Sequence, residues 1–176
     1  MNCINFVVPM NPCRCGYYPD KKKCTCTPLQ VKNYLGKISM PLLDRIDICV
    51  ETVPVNFSGI DTCVNNNSRT SKEIKKRVQA AQDIQKQRYK NESFMFNSRL
   101  NPQDIGKYCI LSIEAKEWLK DILNSISLSA RAYHKILKTG RTIADLEGSS
   151  LIEKAHIMEA VCYRGINSKY WGQGVE

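Results

Sequence analysis

The sequence predicts an α/β fragment with a cysteine-loop insertion, followed by an all-α helical bundle. Two short apolar runs, residues 4–8 and 46–53, read as buried strands. Between them Cys13, Cys15, Cys24 and Cys26 form two Cys-x-Cys pairs in a loop over 11–27. From Ser71 onward, apolar residues recur at helical spacing almost to the end, with no strand candidate.

Both strand runs are apolar on both faces, as interior strands of a covered parallel sheet are. Nothing else in the chain supplies them with neighbours. Residues 1–56 therefore read as the last part of a larger α/β module. Turn formers Gly16, Pro19 and Asp20 fill the cysteine loop. Pro28 opens a short helix through about Ser39, with Val31, Tyr34, Leu35 and Ile38 on one face. Pro41 interrupts it, and Leu42-Leu43-Asp44-Arg45 is a turn into the second strand, which Pro54 ends. Residues 57–70, rich in Asn and Ser, read as a linker.

The bundle is expected over 71–165, with 166–176 as a tail. Its first helix runs from Ser71, as N-cap, to about Lys90, with an apolar stripe of Ile74, Val78, Ala81 and Ile84. Asn101-Pro102 starts a short helix through Tyr108. Ser112 caps the next helix, with Glu114 and Glu117 in its early turns. Ser129 caps a long one through about Leu146, ended near Gly148, and the last spans about Leu151–Tyr163. Five helices with short connections make an antiparallel bundle.

Composition narrows the class. The 176 residues are 43% hydrophobic and 24% charged, with room for one ordinary domain or two small ones. Lys and Arg number 26 against 17 acidic residues, and the net charge of +9 favours a polyanionic partner such as nucleic acid. No apolar run approaches the ~20 residues needed to span a bilayer. The N-terminus lacks a signal-peptide pattern, so a cytoplasmic protein with no membrane partner is expected. Nine cysteines, an odd number without an export signal, argue against a disulfide framework. Cys3, Cys49, Cys63, Cys109 and Cys162 are scattered, as packing thiols are.

The other four invite a metal. In extended backbone, residues i and i+2 point to the same side, so each Cys-x-Cys pair can offer both sulfurs to one ion. The turn-rich loop folds one pair onto the other, and four thiolates complete a tetrahedral zinc site with no position left for a substrate. Free thiols in a surface loop are the alternative. Lys21, Lys22 and Lys23 beside them would offset thiolate charge or stand as a solvated basic loop.

Three phrases, MNPCRCGYYPD from Met10, PLLDRIDI from Pro41 and SARAYHKILKTGRTIADLEGS from Ser129, resemble the magnesium-chelatase-like AAA+ ATPases of the competence-protein (ComM) type. The resemblance covers nearly the whole chain and matches the C-terminal third of that family. It implies the end of an AAA+ parallel sheet with a zinc-loop insertion, followed by a helical lid. It also implies a homo-hexameric ring that hydrolyses ATP with Mg and moves DNA, driving branch migration. The chain holds no Gly-x-x-x-x-Gly-Lys-Ser/Thr loop and no apolar strand ending in Asp-Glu. ATP and Mg would then be held mainly by an upstream segment or by full-length subunits. This chain is expected to be a fragment or one piece of a split protein, inactive alone.

The resemblance also implies roles. Asn11 matches the sensor that contacts the γ-phosphate and orients the attacking water; on local sequence it is an Asn-Pro turn. Arg45 matches the arginine finger, which stabilises charge on the transferred phosphoryl group from a neighbouring subunit. Its local reading is a surface pair with Asp44 or Asp47. Arg131 matches the second sensor, reaching from the lid to the nucleotide. Lys135, Lys138 and Arg141 follow it on one helical face and read as a solvated basic face, while Tyr133, Ile136, Leu137 and Ile143 take the other. His134 reads as packed or exposed. Met40, Arg14 and Pro19 depart from the usual family residues. Gly140 inside the long helix costs ~1 kcal/mol against Ala and is expected to loosen the lid's second half. The alternative class is a non-enzymatic zinc-loop plus helical-bundle module that binds nucleic acid through its charge; a protein-binding bundle is a third.

Overall fold

Helices in this chain begin where a hydroxyl or amide side chain closes the first turn. The structure, a computed structural model, describes residues 7–52, 69–125 and 129–171. Thr27 caps α1 (Pro28–Leu35): its Oγ1 accepts from Gln30 N at 3.3 Å while Gln30 Oε1 accepts from Thr27 N at 2.9 Å. Helix α1 stops at Leu35 with Gly36 as its C-cap, short of the expected Ser39, so Pro41 does not end it; a one-turn helix, α2 (Met40–Leu43), follows with Pro41 in its first turn. Helix α3 (Ser71–Arg88) takes Thr70 as its cap rather than Ser71, because only Thr70 stands three residues before Glu73 and can form the reciprocal pair. Asn101 caps α4 (Pro102–Tyr108) in the same way with Asp104. Ser112 caps α5 (Ile113–Ser125), its Oγ accepting from Ala115 N at 3.3 Å. Ser129 caps α6 (Ala130–Glu147), which ends on Gly148 at φ +73°, where Ser149 N reaches back to Ala144 O at 2.8 Å. The last helix, α7 (Lys154–Trp171), runs past the expected Tyr163.

Among the described residues, the expected strands are not formed. Residues 7–8 and 46–52 pair with no strand, and Val7 (88% exposed) and Val50 (68%) lie open. The rest of those runs, 4–6 and 53, and most of the expected linker lie outside the described residues. A strand holds its shape through neighbours, and the described chain offers none. An isolated parallel bridge, Leu111 to Ile152, is the β pairing found among the described residues. What is described is thus mostly helical, with a cysteine cluster.

The chain divides into two units, Met1–Ile46 with Gly165–Glu176, and Asp47–Arg164. In the first, Cys13, Val31, Leu35 and Tyr170 form a small core. Trp171 Nε1 donates to Leu35 O at 2.9 Å, and Tyr170 meets the Tyr18 ring edge-on.

The second unit is built around α6, which packs against α3, α4 and a 3-10 turn at Asn97–Arg99. Tyr89, Leu100, Ile105, Leu119, Ile136, Ile152 and Ile157 lead its core. The α3 stripe is half realised: Ala81 is buried and Ile84 partly so, but Ile74 and Val78 are exposed. Gly140 tightens rather than loosens this unit. A Cβ there would stand 2.9 Å from Ile157 Cδ1 and 3.4 Å from Ile152 Cγ2, so the missing side chain is what lets α7 approach α6.

The basic face expected on α6 is not solvated. Arg141 is 1% exposed. Its Nε donates to Asp145 Oδ1 at 3.1 Å, NH1 to Ser150 O at 2.8 Å and NH2 to Ser149 O at 2.5 Å. Arg88 grips the same carboxylate, with NH1 on Oδ2 at 3.0 Å and NH2 on Oδ1. Asn97 Nδ2 adds a third donor at 2.8 Å, while Asn97 Oδ1 accepts from the Tyr89 hydroxyl at 2.6 Å. Lys135 pairs with Asp47 at 2.8 Å, and Lys138 donates to Ser98 O at 3.3 Å. Three of the four basic residues of that face are therefore engaged, and Arg141 belongs to the core.

Removing one member of a buried ion cluster leaves its partners charged without compensation, at about 3–5 kcal/mol. Asp145→Ala should lower urea stability by about that amount. Asp83→Ala, which breaks the exposed pair with Lys86 at 3.2 Å, should cost less than ~1 kcal/mol. Equal losses from the two substitutions would contradict this account of the core.

Candidate metal centre

Successive turns fold the cysteine loop. Gly16 N donates to Cys13 O at 3.2 Å, and Gly16 adopts φ +82°, which favours a residue without Cβ. Asp20 N then donates to Tyr17 O, and Cys24 N to Asp20 O, both at 2.8 Å. The Asp20 carboxylate caps its own turn, Oδ1 accepting from Lys22 N at 2.9 Å and from Lys23 N at 3.4 Å. These turns return the second Cys-x-Cys pair onto the first.

The result is a four-sulfur cluster. The Sγ atoms of Cys13, Cys15, Cys24 and Cys26 all lie within 4.8 Å of one another. Cys13 and Cys15 are 3.3 Å apart, Cys15 and Cys24 3.5 Å, and Cys13 and Cys24 3.8 Å. All four are free thiols. A tetrahedral ion with metal–sulfur bonds of about 2.3 Å separates its ligands by about 3.8 Å. The four cysteines are thus positioned to hold a metal ion, and the donor set fits zinc. Tyr18 N donates to Cys13 Sγ at 3.4 Å and supports the buried ligand from outside.

Electrostatics carry the same message. The Tyr17 backbone N–H outweighs desolvation and, with the Cys13 sulfur, holds the Cys15 thiol down at about 6. The Cys26 backbone N–H favours a thiolate at Cys24, but desolvation and the sulfurs of Cys15 and Cys13 push that thiol up to about 12. Cys26 is drawn down by the Cys15 backbone and pushed up more strongly by the Cys15 sulfur and by desolvation. The cluster accepts one negative charge readily and resists the next. A cation at its centre is what lets all four ionise. Outside the cluster, burial pushes the Cys109 thiol up to about 11, as for a packed apolar group.

The remaining candidate residues occupy both units. Asn11, exposed at the mouth of the loop, lies against Gly16, where a Cβ would stand 3.5 Å from Asn11 Nδ2. Arg45, exposed just beyond α2, donates from NH1 to Pro41 O at 2.9 Å. Arg131 is exposed in the first turn of α6. Asn11 and Arg45 belong to the first unit and Arg131 to the second. His134 is half-buried beside the Tyr133 ring. Sequence reasoning passed over His156, which is 3% exposed. Its Nδ1 accepts from Glu153 N at 2.9 Å, and its Nε2 meets Glu147 Oε2 at 2.9 Å, joining α6 to the start of α7. The Glu153/His156 spacing of a cap was the available signal. Among the described residues, no helix is long and apolar enough to cross a membrane.

Two protein-family models match the chain. One, described as magnesium chelatase, subunit ChlI, covers residues 2–60. The other, magnesium chelatase, subunit ChlI C-terminal, covers residues 68–164. Similar curated proteins include the uncharacterized protein YifB of Salmonella typhimurium, 39% identical over 93% of this chain. The competence protein ComM of Haemophilus influenzae is 36% identical over 93%. The uncharacterized protein Rv2897c of Mycobacterium tuberculosis is 26% identical over 92%. Each match covers 31% of the relative, so the chain spans about a third of the length of the curated relatives it matches.

A structural four-thiolate site holds one ion per chain and releases it only on unfolding. The purified chain should carry one equivalent of bound metal. Cys24→Ser should abolish stoichiometric loading and lower the melting temperature of the first unit, whereas Cys162→Ser should change neither. Full metal loading of Cys24→Ser, read by elemental analysis, would contradict the assignment.

Proposed function

The chain belongs to the magnesium-chelatase-like family of the ComM type, and from that membership we propose that it is the C-terminal part of an AAA+ ATPase that works on DNA. The observation that carries this reading is the match along 93% of the chain to a protein named for competence. In this reading residues 1–56 end the nucleotide-binding module, 71–165 form the lid, and the cysteine loop is held by a structural zinc. Val7, Val8, Ile48 and Val50 are exposed, and sheet neighbours contributed by an upstream segment would bury them.

Asn11 acts as the sensor. A carboxamide can both accept from an attacking water and donate to a γ-phosphate oxygen without adding charge. Arg131 acts as the second sensor from the lid, and its guanidinium has no partner among the described residues. Arg45 acts in trans, on a nucleotide held by the adjacent subunit of a homo-hexamer. Its exposed contact with the Pro41 carbonyl is one that a phosphate can displace. When bound, Mg and the phosphate-binding loop of the upstream segment neutralise the triphosphate. Lid motion then couples hydrolysis to movement along DNA during uptake and recombination, in the cytoplasm.

Mixing this chain with an upstream segment that carries a phosphate-binding loop should raise ATP hydrolysis above that of either piece alone. Arg45→Ala should remove the gain, by about 10³-fold for a lost arginine finger. An undiminished rate in Arg45→Ala, with assembly intact, would overturn the assignment.

A further inference from the structure

The cysteine loop and α1 enclose a groove that neither the metal nor the nucleotide reading uses. It has a volume of about 180 Å³ and is lined by Arg14, Gln30, Asn33, Tyr34 and Lys37. Gln30, Asn33, Tyr34 and Lys37 fall on one face of α1 and the turn that continues it. The opposite face buries Val31 and Leu35 in the core of the first unit, so the groove wall is anchored from behind. Arg14 forms the other wall. It stands between Cys13 and Cys15, two of the four clustered thiols, so its backbone is fixed on both sides by the metal site.

The charges in this groove are uncommitted. Neither Arg14 nor Lys37 pairs with a carboxylate among the described residues. Over residues 11–39 the basic side chains are Arg14, Lys21, Lys22, Lys23, Lys32 and Lys37, against Asp20 alone. Asp20 is occupied with the backbone of its own turn. Gln30 Oε1 is taken by Thr27 N, which leaves its amide N–H groups as donors. Tyr34, half-buried, adds an aromatic ring and a phenol to the same lining.

We propose that this groove holds the sugar–phosphate chain of single-stranded DNA, with Arg14 and Lys37 on phosphate oxygens and Tyr34 offering a stacking surface. Cations and an aromatic ring lining one groove are the elements of sequence-tolerant single-strand binding. Size decides against an enclosed nucleotide: the groove is smaller than the ~300 Å³ at which small-molecule sites begin. All its lining residues except Tyr34 are exposed, so a strand can run through and beyond it. The inference rests on the DNA-motor reading only in its choice of DNA as the polyanion.

The metal-loaded chain is titrated with a fluorescein-labelled oligo-dT and followed by anisotropy over a range of salt. Each single-strand phosphate contact contributes ~0.7 to the slope of log affinity against log salt, so the Arg14→Gln/Lys37→Gln variant should flatten that slope by about 1.4. Affinity at low salt should fall about tenfold or more, while metal content stays at the wild-type value. Arg14→Lys keeps the charge and should retain most of the binding. Wild-type affinity and slope in the double variant would overturn the groove while leaving the ATPase reading standing, since that reading is judged by the Arg45 dependence of hydrolysis. Absence of oligo-dT binding by the wild-type chain at low salt would overturn it as well. Displacement of the oligonucleotide by equimolar thymidine monophosphate would show a nucleotide pocket and sink the strand assignment.

Discussion

Four sulfur atoms within 4.8 Å of one another are the constraint on which the first unit depends. Thiols at that spacing can all ionise only around a cation, and once they do, the loop from Cys13 to Cys26 is cross-linked at four points. What the loop positions lies beside its ligands. Asn11 precedes Cys13 by two residues, Arg14 separates Cys13 from Cys15, and Thr27, the cap of α1, follows Cys26 directly. The apolar core of this unit, Cys13, Val31, Leu35 and Tyr170 with partly buried neighbours, is small. A core of that size gives little stability alone, and small folds of this kind draw on metal or disulfide cross-links.

The second unit solves the same problem without a metal. Its apolar core is larger, and at its centre one carboxylate, Asp145, receives Arg88, Arg141 and Asn97. Buried ion clusters contribute little net stability, because desolvation offsets most of the attraction. Their geometry is demanding, however. Asp145 is satisfied only when α3, the 3-10 turn and α6 are all in register. Every buried side-chain nitrogen and oxygen among the described residues has a partner. Gly140 complements this on the other side of α6 by removing a methyl group where Ile157 stands.

Helix starts were the most legible part of the sequence, because capping is local chemistry: Asn101, Ser112 and Ser129 cap where expected, and of the stops Gly148 ends α6 as expected while α1 stops early at Leu35 and α7 runs on to Trp171. Ser71 lost to Thr70 because a capping box depends on the position of Glu73 as well as on the capping residue. The clustering of the four cysteines was legible for the same reason, since turn formers and i,i+2 spacing act within a few residues. The misses are non-local. Residues 7–8 and 46–52, the described parts of the two apolar runs, have strand composition, but pairing partners decide whether a strand forms, and composition is silent on those. Arg141 carried the signature of a surface charge, and only the approach of Arg88 and Asp145 makes its burial tolerable. Gly140 looked like a helix defect until Ile152 and Ile157 were seen against it. Tyr170 and Trp171 belonged to a presumed tail until they were found on α1.

The metal's coordination shell tests the central claim most directly. X-ray absorption at the zinc edge of the loaded chain should show four sulfur neighbours at about 2.3 Å and no lighter scatterer in the first shell. A first shell containing nitrogen or oxygen, or fewer than four sulfurs, would contradict the account.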